Sequence, residues 1–221
     1  MQIGVLGSGP VARALAAGFA ARGHEVVLGT RDASRLVAWS RTQRGVGVAS
    51  FAEAAAFGEL LVLAVRGSVA NRALRLAGTP NLAGKTIIDV CNPVADGASS
   101  AGSLRLFTSF DESLMERLQR EFSTARFVKA FNAVGAAMVA DPQLPGGPPT
   151  MFICGNDATA KAQVTPLLAA FGWEPADLGG AEAARVIEPM CLLWAMPAMK
   201  RGGVAHAFKL LRAAPGETHP A

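Results

Sequence analysis

The sequence predicts an α/β fold in which a mostly parallel sheet is doubly wound, with helices on both faces. Three observations carry that expectation. Short apolar runs of strand length recur along the 221 residues, and stretches with helical spacing separate them. The run Glu59-Leu60-Leu61-Val62-Leu63-Ala64-Val65 is apolar almost throughout, as suits a parallel strand covered on both sides. Ile3-Gly4-Val5-Leu6 passes directly into Gly7-Ser8-Gly9-Pro10-Val11-Ala12, a glycine turn between a strand and a helix.

Taken in order, the first unit is a strand over 3–6, a helix opening at Pro10, and a second strand at Val26-Val27-Leu28. Gly7 permits the tight turn, Gly9 lets a ligand approach the backbone, and Ala12 lets the helix pack closely on the strand. Proline suits the first helical turn, where its missing N–H would have had no partner. A helix over 33–43, a strand at Val46-Gly47-Val48 and a short helix over 51–56 capped by Ser50 come next. Beyond the strand at 59–65 lie a helix over 68–77 and the strand Thr86-Ile87-Ile88-Asp89-Val90, which ends at Asn92-Pro93.

Residues 94–109 are rich in Gly, Ser and Ala and read as a loop, fit for a lid, a substrate site or a connector. Ser109 or Asp111 is expected to start a helix ending at 121, ahead of the strand Arg126-Phe127-Val128-Lys129-Ala130-Phe131. A Pro/Gly cluster at 142–149 precedes a last strand–helix–strand unit over 151–154, 158–171 and 174–178. A helix over 181–198 follows, with Pro197 disturbing its final turn. The expected organisation is a Rossmann-type domain over 1–135, a smaller C-terminal α/β lobe over 136–212 completing a second-substrate site, and a loose tail over 213–221.

The first helix would point unpaired N–H groups and the positive end of its dipole at the glycine turn, which suits the pyrophosphate of a dinucleotide. The end of the second strand bears on which one. An NAD site places a carboxylate there for the ribose 2′-hydroxyl, whereas this chain has Gly29-Thr30-Arg31 and no carboxylate before Asp32. A guanidinium takes a 2′-phosphate bidentately and a threonine hydroxyl adds a donor, so NADP is the expected cofactor. Arg35 lies one helical turn further and is within reach of the same phosphate.

Composition removes other classes. The net charge of +4 is spread along the chain without a basic block, which gives nucleic acid binding no support. The longest apolar run, 189–199, is too short to span a bilayer, and no secretory n-region or h-region opens the chain, so no membrane association and a cytoplasmic location are expected. Three cysteines without a C-x-x-C or Cys/His cluster predict buried thiols, with no metal site and no disulfide. There is no tyrosine, which excludes a Tyr–Lys dehydrogenase mechanism. Neither His24, His206 nor His219 stands at a strand's carboxyl end beside a carboxylate. Lys129 lies within a strand, where its side chain need not face the cofactor. What remains is a nicotinamide site with few proton-transfer groups, which suits a hydride passing directly between two cofactors.

Ile3-Gly4-Val5-Leu6-Gly7-Ser8-Gly9-Pro10-Val11, Gly29-Thr30-Arg31-Asp32, Val128-Lys129-Ala130-Phe131-Asn132 and Phe152-Ile153-Cys154-Gly155-Asn156-Asp157 together resemble the coenzyme F420-dependent NADP reductase family. The stretch 179–188, with Ala184-Arg185 and Glu188, is also similar, and the likeness extends more loosely to the NADPH domain of the STEAP metalloreductases. The resemblance implies that Gly7, Ser8, Gly9, Pro10 and Val11 lie along the pyrophosphate. Thr30, Arg31 and Arg35 would hold the 2′-phosphate, and Ala64 and Val65 would flank the ribose and ring. Asn92 belongs with the cofactor-binding residues, and Asn132 and the backbone near Ala136 would sit by the nicotinamide, where the family's second ring docks. Asn132 is thereby the candidate for positioning the reacting rings. The regions 98–113 and 206–211 depart from the family pattern and would border the second ring.

The expected function is therefore an NADP(H)-dependent oxidoreductase moving a hydride between nicotinamide and F420, a flavin or a small acceptor. The first rival is an NADPH-dependent reductase of a small carbonyl or imine, which needs a proton donor and has only Lys129, Asn132 or Glu188 to offer. The second is a non-enzymatic NADP-binding sensor or scaffold using the apolar helix at 190–199 as a partner surface. That same helix makes a homodimer the expected assembly.

Overall fold

The computed structural model describes residues 1–97, 104–201 and 205–213. Six strands form one parallel sheet: β1 (Gln2–Leu6), β2 (Glu25–Gly29), β3 (Val46–Ala49), β4 (Leu60–Leu63), β5 (Thr86–Asp89) and β6 (Arg126–Lys129), in the order β3-β2-β1-β4-β5-β6. The order reverses beside β1, so the carboxyl ends of β1 and β4 open a crevice, the place where such sheets bind ligands. A parallel pair, β7 (Thr150–Ile153) and β8 (Glu174–Asp177), forms a second sheet, and a bridge between Lys129 and Cys154 joins it to β6.

Period-two alternation explains the two cores. In β4, Leu60 and Val62 face one side while Leu61 and Leu63 face the other, and all four are buried. The first side packs on α1 (Pro10–Ala21) and α7 (Ala158–Ala170) through Leu15, Phe19, Val164, Leu168 and Phe171. The second side is covered by α3 (Phe51–Phe57), α4 (Ala70–Ala77), α5 (Thr79–Leu82), α6 (Leu114–Glu121) and α8 (Ala184–Ile187). The remaining helices are α2 (Val37–Thr42), between β2 and β3, and α9 (Met190–Arg201). The expected doubly wound α/β architecture is the one observed. No helix among the described residues is long and apolar enough to cross a membrane.

Several local expectations need correction. The strand over 126–131 stops at Lys129, because Phe131 adopts φ +56°, a left-handed conformation that costs a non-glycine residue about 1 kcal/mol or more. The helix before it starts neither at Ser109 nor at Asp111. Ser113 caps it, accepting from the Glu116 N–H while the Glu116 carboxylate accepts from the Ser113 N–H, a complete capping box. The single helix over 181–198 is a 3-10 turn over 181–183, then α8, then α9, and the break falls at Pro189, which has no N–H to continue the ladder. The helix continues through Pro197 to Arg201. Ser50 caps α3 as expected, again with a capping box to Glu53. Of the loop over 94–109, residues 98–103 lie outside the described residues. Its two ends pair, with Ala95 N–H donating to Arg105 O and Phe107 N–H to Pro93 O.

Candidate functional site

A cavity of about 870 Å³ opens at the carboxyl ends of the strands. Its wall contains Gly7, Ser8, Gly9, Pro10, Val11, Arg31, Ala64, Val65, Asn92 and Asn132, so most of the residues expected at the site stand in one cleft. Thr30, Arg35 and Ala136 are not part of that wall. Ala136 instead begins a 3-10 turn over 136–138.

The glycine turn divides its labour as the residue types require. Gly7 has φ +139°, and a Cβ there would lie 2.2 Å from the Ala64 carbonyl oxygen, so only glycine lets β1 turn this close to β4. Gly9 is the N-cap of α1, and a Cβ on it would meet nothing within 4 Å, being directed into open space. No side chain caps α1 and its first turn carries no acid, so its leading N–H groups remain available to an anion.

At the end of β2 the residues separate. The Thr30 hydroxyl is buried and occupied with its own turn, accepting from Asp32 N–H at 3.2 Å. Asp32 caps the turn over 33–36: its carboxylate accepts from Ser34 Oγ and N–H and pairs with Arg35 at 3.1 Å. The Ser34 hydroxyl, with its backbone N–H and Arg35, holds the Asp32 carboxyl below its usual range. Arg35 is thereby tied to Asp32, with its side chain 85% exposed, while Arg31 remains in the cleft wall.

Under the cleft floor lies a buried ion network that the sequence reading missed. Lys129 is fully buried, and its Nζ donates to Asp89 Oδ2 at 2.6 Å, Glu188 Oε1 at 2.9 Å and the Cys91 carbonyl at 2.9 Å. Glu188 also accepts from the Leu114 and Met115 N–H groups at the start of α6, and Asp89 Oδ1 accepts from Cys91 N–H. Burial alone would lower the lysine pKa, but the Asp89 and Glu188 carboxylates more than reverse it and hold it above the ordinary lysine value. The signal was present in the sequence. Asp89 and Lys129 are charges inside core strands, and a buried charge needs a partner.

The two amides of the floor stand close along the chain to members of this network. Asn92 follows Cys91 and donates Nδ2–H to the Asn132 carbonyl at 2.6 Å; Asn132 donates its own Nδ2–H to the carbonyl of Ile187, next to Glu188, at 2.6 Å. Asn132 therefore bridges to a distant element and does not close its own loop. Because Asn92 Nδ2 is committed to a carbonyl, its Oδ1 must act as acceptor, and it is a buried oxygen with no partner among the described residues. A ligand N–H or O–H is the complement of such an atom.

The thiols offer no competing chemistry. Burial, with Asp89 adding to it, pushes Cys91 well above the ordinary thiol range, and burial raises Cys154 to about 12 and Cys191 to about 11. All three are protonated at neutral pH and poor nucleophiles. The described residues contain no cluster of His, Cys, Asp and Glu able to hold a metal ion.

Comparison with known proteins follows this geometry. The family described as NADP oxidoreductase, coenzyme F420-dependent, matches residues 2–93. An Arthrobacter sp. FB24 protein assigned to the F420-dependent NADP reductases has a solved structure with a TM-score of 0.90 and 38% identity, covering 96% of this chain and 100% of that one. The F420-dependent NADP reductase of Methanothermobacter marburgensis is 31% identical over 201 residues, 85% of this chain and 88% of the relative. Rat metalloreductase STEAP3 is 32% identical over 212 residues; the match takes in 94% of this chain but spans only 40% of the metalloreductase's length. With its glycine turn, strand order and full-length likeness to two such reductases, this chain belongs to the F420-dependent NADP reductase family of NADP oxidoreductases.

Proposed function

We propose that the protein transfers a hydride between NADP(H) and a second ring of the F420 or flavin type, both held in the cleft above β1, β4 and β5. The observation that carries this reading is the cleft's chemistry. Its ionisable wall residues are Arg31, Arg66, Arg72 and Asp96, and the lysine nearest its floor is sealed in an ion network. Among the described residues, no side chain in that wall is placed as a general acid for a carbonyl or imine, so the carbonyl- and imine-reductase reading ranks below direct transfer.

The residues fit the dinucleotide. The uncapped start of α1 and the open direction above Gly9 suit a pyrophosphate, Arg31 suits the 2′-phosphate, and the partnerless Asn92 Oδ1 suits an amide or hydroxyl donor. Ala64 and Val65 supply an apolar wall for ribose and ring. When bound, the nicotinamide supplies the hydride chemistry itself. The protein's part is to hold two rings in register through Asn92 and Asn132, which the Lys129 network fixes from below. The division of the chain into a cofactor domain and a smaller lobe completing the second-ring site belongs to the same proposal.

NADPH oxidation assayed with F420, FMN, FAD and a panel of cyclic imines tests it. Turnover with a tricyclic acceptor is expected. Turnover with imines alone would favour the first rival, and micromolar NADPH binding without any turnover would favour a sensor. The two glycines give a finer check. Gly7→Ala is expected to cost about 1–3 kcal/mol of stability in urea unfolding, from the clash and positive φ. Gly9→Ala should leave the unfolding midpoint near wild type and weaken NADPH binding. Equal melting and equal binding losses in both variants would contradict this division of roles.

A further inference from the structure

We propose that Arg72 is a specificity-determining residue that, with Arg31, clamps the 2′-phosphate of the dinucleotide, so that two guanidiniums on different elements share one phosphate. The inference rests on the NADP(H) reading above and adds to it a residue on the far side of β1. The sequence pattern places Arg35 beside Arg31, but Arg35 is held by Asp32 and is not in the cleft wall. Arg72 is in the wall. It rises from α4, which follows β4, while Arg31 follows β2, and these strands flank β1 in the sheet.

The charges around it support the assignment. Arg75, one turn along the same helix, is engaged by Glu121 at 2.8 Å, and Arg66 faces Asp96 at 3.8 Å. Arg31 and Arg72 have no ion-pair partner among the described residues. Two unpaired cations lining one cleft repel each other, and a dianionic phosphate between them removes that cost and offers each a bidentate acceptor. Phe51, Val69, Ala73 and Leu76 line the same wall and offer an apolar surface suited to the purine that accompanies such a phosphate.

Calorimetric titration of the full chain with NADP+ and with NAD+ tests this, using wild type, Arg31→Ala, Arg72→Ala and Arg72→Lys. Arg72 is an exposed helix residue, so its substitution should leave the melting curve almost unchanged. Arg72→Ala is expected to weaken NADP+ binding by about 10–100-fold and NAD+ binding by less than about twofold, with partial recovery in Arg72→Lys. Equal losses for both nucleotides would mean that Arg72 contacts the base and would overturn the proposal. No loss for either, with Arg31→Ala still selective, would overturn it while leaving the NADP reading intact. If wild type shows no preference for NADP+, the NADP reading fails and the proposal fails with it; if Arg31→Ala leaves the preference unchanged, Arg31 is no part of the clamp and the proposal fails alone.

Discussion

Lys129→Met is expected to lower the unfolding free energy by about 3–5 kcal/mol at neutral pH, the scale for removing one partner from a buried ion network. The variant strands the Asp89 and Glu188 carboxylates, buried to 0% and 1% exposure, without their cation. Because the Asp89 and Glu188 carboxylates outweigh the effect of burial and hold the Lys129 pKa above the ordinary lysine value of 10.5, its stabilising contribution is complete below that pH. In wild type this contribution should therefore persist across neutral pH and be lost only above about 10.5. Urea unfolding as a function of pH measures both. A loss below about 1 kcal/mol at neutral pH, or a wild-type stability that already falls with the Lys129 contribution below about pH 10, would contradict the network's role.

Arg31→Ala is the second large effect. Losing a charge-assisted contact to the 2′-phosphate should cost about 1.5–3 kcal/mol of NADPH binding and almost none of NADH binding. In steady-state kinetics this appears as a rise of roughly 10–100-fold in the KM for NADPH, with the NADH value within about twofold of wild type. Comparable changes for both cofactors would remove Arg31 from the phosphate site. The position of Asp32 strengthens the expectation. As the cap of its own turn, bonded to Ser34 and Arg35, that carboxylate is already engaged and poorly suited to hold the ribose hydroxyl of NAD.

What could be read from the sequence follows from the range of the interactions involved. The glycine turn and strands β1 to β6 are legible because they rest on local chemistry: apolar runs of strand length, and glycines that a tight turn requires. The start of α6 was misplaced because Ser109, Asp111 and Ser113 are all competent caps, and only the capping box with Glu116 selects Ser113. Phe131 could not be anticipated, since nothing in its own identity calls for a left-handed backbone.

The site shows the same division. Gly7 to Val11, Arg31, Ala64, Val65, Asn92 and Asn132 stand in one cleft as expected from motif positions. Arg35 lies outside that wall and pairs with Asp32, three residues away, a contact that helical spacing alone did not reveal. Asp89 and Lys129 are charges inside apolar strands, which signals in sequence that partners are needed, but that they meet each other and Glu188 became visible only when the chain was folded. Arg72 gave no motif at all. In the folded chain it stands in the cleft wall with no ion-pair partner among the described residues, where Arg75 pairs with Glu121.

In the proposed reaction the hydride passes directly between two rings held in the cleft, with no proton-transfer residue among the described residues of its wall. NADPH carrying deuterium on one face of the nicotinamide C4, then on the other, with oxidised F420 in ordinary water, tests it most directly. One of the two labelled forms is expected to deliver its deuterium into the reduced deazaflavin. Reduced F420 carrying hydrogen only from solvent with both forms, or NADPH that binds and is never consumed with F420, FMN or FAD, would contradict direct transfer between rings.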